Sequence, residues 1–260
     1  MEGNLEIVCQ TASYWQLRKL RSIVHKALKK RFAGSKPVKY GTLNKGFTEQ
    51  ELLQFLRNVK NDKFRLLFKY QAYLGLRIGE ACSLGIGNFN FEKKELIIKS
   101  EKSNKIDALL IPADLFRETV NFILRNQQPI KNSSNHIFFK ENDNNRNRVQ
   151  HVNLHYVRKV FREAVGNAGL EFVYAYTDED LYNRNQRKLH RLTTHSLRHY
   201  AITRFAKGTN GNLVLVSRFA RHADPSTTMR YISKDNEELY KNIESVFNDT
   251  PVLKRSLNFV

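Results

Sequence analysis

Apolar residues recur with helical period over much of this chain, and the breaks in that period divide it. Near the N-terminus Trp15, Leu20, Ile23, Val24 and Leu28 fall at near-helical spacing and predict an amphipathic helix. The stretch Gly34-Ser35-Lys36-Pro37, followed by Gly41 and Gly46, interrupts any helix and reads as a linker. A second pattern begins sharply at Thr48, because Thr48 and Glu51 make a T-x-x-E capping box ahead of the stripe Leu52, Leu53, Leu56 and Val59. Helices follow over residues 63–74, ended by Gly75, and over 77–84. Residues 95–99 and 108–111 read as strands joined across 101–107, with Pro112 closing the second. Further helices are predicted over 115–124 and 154–165, separated by a short apolar piece (137–139) and an Asn-rich loop (142–147). After a polar gap at 178–194, helices resume over 196–207, 213–220, 225–231 and 237–246. The expected fold is mainly α with one small antiparallel β-sheet. Its organisation is a basic helical arm (residues 1–45), a compact domain (46–248) and a C-terminal tail (249–260).

Charge changes this picture most. The 260 residues hold 44 Lys plus Arg against 25 Asp plus Glu, a formal net charge of +19, which favours a polyanionic partner such as nucleic acid, with acidic membrane surfaces second. The arm alone carries ten basic and two acidic residues, a net +8. At 41% hydrophobic residues the chain can bury a sizeable core, so dominant disorder is excluded. Cys9 and Cys82 stand far apart and form no disulfide framework or zinc motif, in keeping with a reducing compartment. Neither a signal-peptide order nor an apolar run of about 18 residues is present, so a cytoplasmic, DNA-associated protein is expected.

Candidate chemistry lies in three segments. In His195-Ser-Leu-Arg198-His199, at a predicted helix start, Leu197, Ala201 and Phe205 mark the buried face, and His195 and Arg198, three apart, share a different one. A helix start presents unpaired N–H groups and a positive dipole end, which stabilise phosphate. Residues 181–204 hold six basic residues and no acidic one. Alone, H-x-x-R is uninformative, since a His and an Arg share a solvated helix face by chance in many basic proteins. The second segment, Leu74-Gly75-Leu76-Arg77-Ile-Gly-Glu80, sets Arg77 just after a glycine turn, with Glu80 one helical turn on to orient or neutralise it. The third, His222-Ala-Asp224-Pro225-Ser226-Thr227-Thr228-Met-Arg-Tyr231, combines a His, an Asp–Pro helix start and a Tyr nine residues after the His.

In this order, Arg, then His-x-x-Arg, then His, then Tyr, the chain resembles the catalytic domain of the tyrosine recombinases, the phage and plasmid integrase and Xer-like family, over residues 47–245. The resemblance implies the recombinase catalytic-domain fold and a DNA-breaking and rejoining activity, with Arg77, Lys102, His195, Arg198 and His222 catalytic and Tyr231 the nucleophile. Lys102 matches the family's lysine in a turn between two strands better than Lys105 does, and Lys99, Lys102 and Lys105 all flank that turn. Glu80 is expected to position its neighbours and His199 to be structural, while Tyr200 and Tyr240 fit helix packing better than nucleophilic attack. The product implied is a 3′-phosphotyrosine with a free 5′-hydroxyl, requiring no cofactor and no metal. The implied partners are double-stranded DNA and further copies of the chain, as a homo-oligomer that is tetrameric on DNA.

The chain also departs from the family. Only the arm precedes Thr48 where members carry a separate helical DNA clamp, so a reduced clamp or a shortened recombinase is expected. Arg221 stands before His222 where a small glycine is usual; it either reaches a phosphate or simply occupies room. Residues 177–191 form a long polar insert, read as a DNA-contacting loop. Beyond Pro251, the apolar set Val252, Leu253, Leu257, Phe259 and Val260 is expected to dock on a neighbouring subunit. Other sites fit less well. His151 and His155 have a zinc-helix spacing without the general-base Glu, Asp178-Glu179-Asp180 lacks a second carboxylate group, and no G-K-[ST] phosphate loop occurs. The main functional reading is a mobile-element integrase. The alternatives are an Xer-like dimer resolvase, a type IB topoisomerase-like enzyme and a non-catalytic basic DNA-binding protein.

Overall fold

A computed structural model describes residues 10–31, 45–99, 106–140, 151–176 and 188–222, together with Ser226, Thr228 and Met229. Helix α1 (Tyr14–Arg31) is the predicted arm helix, and its Trp15, Ile23 and Val24 are exposed. The described residues fall into two compact units. One starts at Lys45, runs to Glu171 and resumes at Leu192; the other holds α1 and the later pair of strands.

The larger unit opens as its capping box requires. Thr48 N–H donates to Glu51 Oε2 at 2.8 Å and Glu51 N–H to Thr48 Oγ1 at 3.2 Å, which fixes the start of α2 (Glu49–Asn58). Arg65 ties the next turn together, its Nε and Nη2 donating to the carbonyls of Leu56 and Val59. Helix α3 (Asp62–Leu74), capped by the Asn61 side chain, is buried along most of its length and ends at Gly75, whose φ of 61° is left-handed. A side chain at Gly75 would be strained by that φ and would touch Phe219 and Ala201 at 3.5 and 3.7 Å. The short α4 (Ile78–Cys82) starts on Arg77.

Strands β1 (Phe89–Asn90), β2 (Glu95–Lys99) and β3 (Ile106–Leu110) form an antiparallel meander, with Leu96 opposite Leu109 and Lys99 opposite Ile106. Leu96 and Ile98 face the core while Ile97 faces out, the period of two that a one-sided sheet needs. Helices α5 (Ala113–Arg125), α6 (Gln127–Asn132) and α7 (Leu154–Asn167) follow, then α8 (Thr194–Gly208) and α9 (Leu213–Ala220). Phe47, Phe55, Phe68 and Phe161 interlock at ring separations of 4.9 to 6.2 Å, joining α2, α3 and α7, and α3 packs along α8.

The expectation of one sheet needs correction. Strands β4 (Val173–Tyr176) and β5 (Lys188–His190) pair antiparallel as a second sheet, with a bulge between Val173 and Ala175. The predicted polar gap therefore contains a strand. Lys188–His190 carries one apolar residue, Leu189, too few for a period of two to register. Of the predicted helix over 225–231 only Ser226, Thr228 and Met229 are described, and the predicted helix over 237–246, the Asn-rich loop and the tail lie outside the described residues.

Candidate functional site

Gly75, Glu80 and the end of α9 organise the site. Arg198, on the second turn of α8, is only 2% exposed, and its Nη1 and Nη2 donate to the carbonyls of Gly75 and Ala220. Spacing on α8 placed Arg198 on a face apart from the buried one. Arg198 is instead buried, because these two carbonyls draw the guanidinium inward while its hydrocarbon stem packs. Glu80 is buried as well. Its Oε1 accepts from Arg77 Nη1 at 2.8 Å, and its Oε2 accepts the Arg77 backbone N–H at 2.8 Å and Arg221 Nη2 at 2.8 Å. Burial alone would raise the pKa of Glu80, but the charge of Arg221 and the bonds from Arg77 outweigh it and hold the carboxyl below its ordinary value.

Arg221 caps α9 in the left-handed region, with φ 52° and ψ 44°, and also reaches the Gly75 carbonyl at 3.4 Å. Burial lowers its pKa, opposed by Glu80 and by Asp107 of β3. His222 follows, its Nδ1 3.0 Å from Thr228 Oγ1. Burial first, then the charges of Arg198, Arg77, His195 and Arg221, hold the His222 pKa down to about 4. A histidine in this setting is neutral at neutral pH and offers one N–H donor. His195 lies on the first turn of α8 and is exposed, while His199 is half-buried, its pKa lowered by burial and by His195 and Lys45.

The structure thus brings together Arg77, Glu80, Arg198 and His222, with His195 near enough for its charge to act on His222. Lys102 and Tyr231 lie outside the described residues. Sequence reasoning missed three partners: the Gly75 and Ala220 carbonyls, which have no side-chain signature, and Thr228, which the S-T-T run could have flagged. Tyr200 is buried on α8, as a packing residue would be. His151 forms a bridge with Phe139 ahead of α7, so it and His155 do not share a helix. A cleft of about 400 Å³ lined by Lys60, Lys63, Arg125 and Phe139, among others, shares no residue with the cluster.

The arrangement sets two guanidiniums, Arg77 and Arg221, on one carboxylate, with the Arg198 guanidinium held beside them at the Gly75 carbonyl and a neutral imidazole next in the chain, an environment that stabilises a tetrahedral or pentavalent oxyanion. Residues 45–238 match the phage integrase family. Tyrosine recombinase XerA of Pyrococcus furiosus is 25% identical over 206 residues, 78% of this chain and 62% of that protein. Tyrosine recombinase XerH of Campylobacter jejuni is 26% identical over 218 residues, 80% of this chain and 52% of that protein. The chain therefore spans between about half and three fifths of the length of these relatives. Among solved structures, XerH site-specific recombinase bound to difH substrate superposes with a TM-score of 0.57 at 22% identity, covering 79% of this chain and 55% of that one. The Tn1549 transposon integrase in complex with a circular intermediate DNA gives 0.60 at 15% identity, covering 93% and 82%. The fold is that of a tyrosine recombinase catalytic domain.

Proposed function

We propose, from the premise that this chain belongs to the phage integrase family of tyrosine recombinases, that it cuts and rejoins double-stranded DNA through a 3′-phosphotyrosine on Tyr231. The observation that carries the proposal is the buried junction where Arg198, Arg77 and His222 converge around Gly75 and Glu80. A phosphodiester seated there meets Arg77 and Arg198 at its non-bridging oxygens. The Tyr231 oxygen attacks phosphorus, and because a free phenol has a pKa of about 10, it must lose its proton as it attacks, with His195 as base or relay. The bond to the 5′ oxygen breaks as Lys102 delivers a proton to it. With the Thr228 hydroxyl donating to Nδ1, the neutral His222 ring keeps its proton on Nε2 and donates it as a hydrogen bond to the phosphate. Asp107 of β3, whose charge acts on Arg221, brings the sheet to the cluster. The new phosphotyrosine ester conserves the energy of the bond broken, so attack by another 5′-hydroxyl reseals DNA without ATP or metal.

In this reading residues 1–45 are a DNA-contacting arm, 46–248 the catalytic domain and 249–260 a tail that docks on a neighbouring subunit, with a tetramer as the working assembly. The protein works on DNA as a mobile-element integrase. Xer-like dimer resolution is the second reading, favoured by the similarity to XerA and XerH.

Suicide duplexes test this, each nicked so that the cleaved 5′-hydroxyl fragment diffuses away, drawn from a randomised-sequence pool and incubated in EDTA. The wild type is expected to form a covalent adduct, and Tyr231→Phe to bind DNA without forming one. Adducts at one sequence favour a recombinase, at many a topoisomerase. Absence of any adduct refutes the reading in favour of a binding module, and a phosphotyrosine at Tyr200 or Tyr240 refutes the nucleophile.

A further inference from the structure

We infer that Arg221 is a positioning residue for strand cleavage: its guanidinium neutralises Glu80, so that the charge of Arg77 is left for the phosphate. The inference rests on the functional reading above and adds a residue to it.

Arg221 occupies a position whose backbone favours glycine, with φ 52°. A bulky residue held there in the left-handed region must be compensated by what its side chain does. That side chain is 3% exposed, deeper than Arg77 at 21%. It spends Nη2 on Glu80 and on the Gly75 carbonyl, while its buried Nε and Nη1 meet no acceptor among the described residues. Buried donors without acceptors cost stability rather than supply it. A residue kept only to fasten α9 to α4 would need neither the strain nor the orphaned donors.

Charge accounts for both. Glu80 is buried with a full negative charge, and both of its oxygens are engaged by Arg77. If Arg77 were its sole cation, the two would form a closed neutral pair. With Arg221 on Oε2 as well, two guanidiniums share one carboxylate and the trio carries a net charge of one positive. Attack on a phosphodiester raises its charge from one negative to two in the pentavalent state, so the added cation matters most at the transition state. Arg221 therefore acts on the phosphate through Glu80 and Arg77 rather than by touching it.

The test is a double-mutant cycle read as single-turnover adduct formation on the randomised suicide duplexes, with DNA affinity and melting temperature measured in parallel. Arg221→Gly suits the local φ and is expected to fold and to bind DNA like the wild type, but to form adduct about tenfold more slowly. Adding Glu80→Gln removes the charge that Arg221 offsets and is expected to return most of that rate. Arg221→Lys keeps the positive charge and should stay within about threefold of wild type. An Arg221→Gly variant at the wild-type rate overturns the inference, as does a double variant no faster than Arg221→Gly, or a Lys variant as slow as the Gly one. A wild type that forms no adduct with any duplex fails the functional reading and the inference with it. A wild type that cleaves beside an equally fast Arg221→Gly fails the inference alone.

Discussion

Arg77 and Arg198 are proposed to share one task, yet their surroundings predict opposite costs of removing them. Replacing Arg198 by Ala deletes a guanidinium that is 2% exposed and strips its donors from the Gly75 and Ala220 carbonyls. The Ala220 carbonyl left unpaired costs about 1–3 kcal/mol, and the Gly75 carbonyl, which keeps only the 3.4 Å bond from Arg221, about 1 more, so the variant loses about 2–4 kcal/mol of a total stability of about 5–15 kcal/mol. That corresponds to a fall in melting temperature of about 10 °C for a domain of this size. Replacing Arg77 by Ala leaves Glu80 paired with Arg221 and still holding the backbone N–H of residue 77, so the loss is about 1 kcal/mol and a few degrees. For cleavage the two converge: each removes donors aimed at the transition-state oxyanion, at about 3 kcal/mol or roughly a hundredfold in rate. The assay pairs thermal unfolding followed by circular dichroism with adduct formation well below both melting temperatures. Equal destabilisation by the two substitutions would refute the structural role of Arg198, and a wild-type cleavage rate in either variant would refute the clamp.

Acidification should destabilise the fold through His222. The unfolded ring takes its proton near 6.5 and the folded ring only near 4, so the stabilisation is complete above pH 6.5 and is lost as pH falls towards 4. Denaturant midpoints at pH 7 and pH 5 should therefore fall less for His222→Asn than for wild type, and parallel falls would contradict the assignment. Glu80 adds a further loss at lower pH, because its carboxyl is held below its ordinary value. Deleting residues 1–45 removes a net +8, so affinity should drop for all duplexes and the slope of log K against log salt should become shallower; an unchanged slope means the arm does not touch DNA. Lys102→Ala should lose cleavage of ordinary DNA but recover on a duplex with sulfur at the 5′ bridging position, because a thiolate leaves without a proton. Failure to recover would move the proton donor elsewhere.

What could be read from sequence followed from whether the governing interaction was local. The capping box of Thr48 and Glu51, the glycine stop at Gly75 and the helix over 213–220 were legible because each is decided within a few residues. Helix α6 was not, since Pro129 reads as a breaker although it sits in the first turn, where a missing N–H costs little. In the second sheet, a bulge breaks the alternation of β4 and a single leucine marks β5. Within the site, residue types and order were legible from the motifs, but the burial of Arg198 and the grip of Arg221 on Glu80 were not. The Glu80 partner of Arg221 and the Gly75 acceptor of Arg198 lie more than a hundred residues away, and both acceptors of Arg198 are main-chain carbonyls that every residue possesses.

Those long separations bear on how the chain acquires its chemistry as it folds. The bond from Arg198 to Gly75 closes a loop of 123 residues, and that from Arg221 to Glu80 closes one of 141. Loop-closure entropy must be met before such contacts form, and each is too weak to meet it without the packing of α3 on α8 already in place. A nascent or partly folded chain thus holds Arg77 and Glu80 early and waits for Arg198, Arg221 and His222 until its last third has been made and docked. On the proposed reading, the means of opening a DNA strand is assembled only in the completed native state, so an unfinished chain, though strongly basic, has no assembled centre with which to break one.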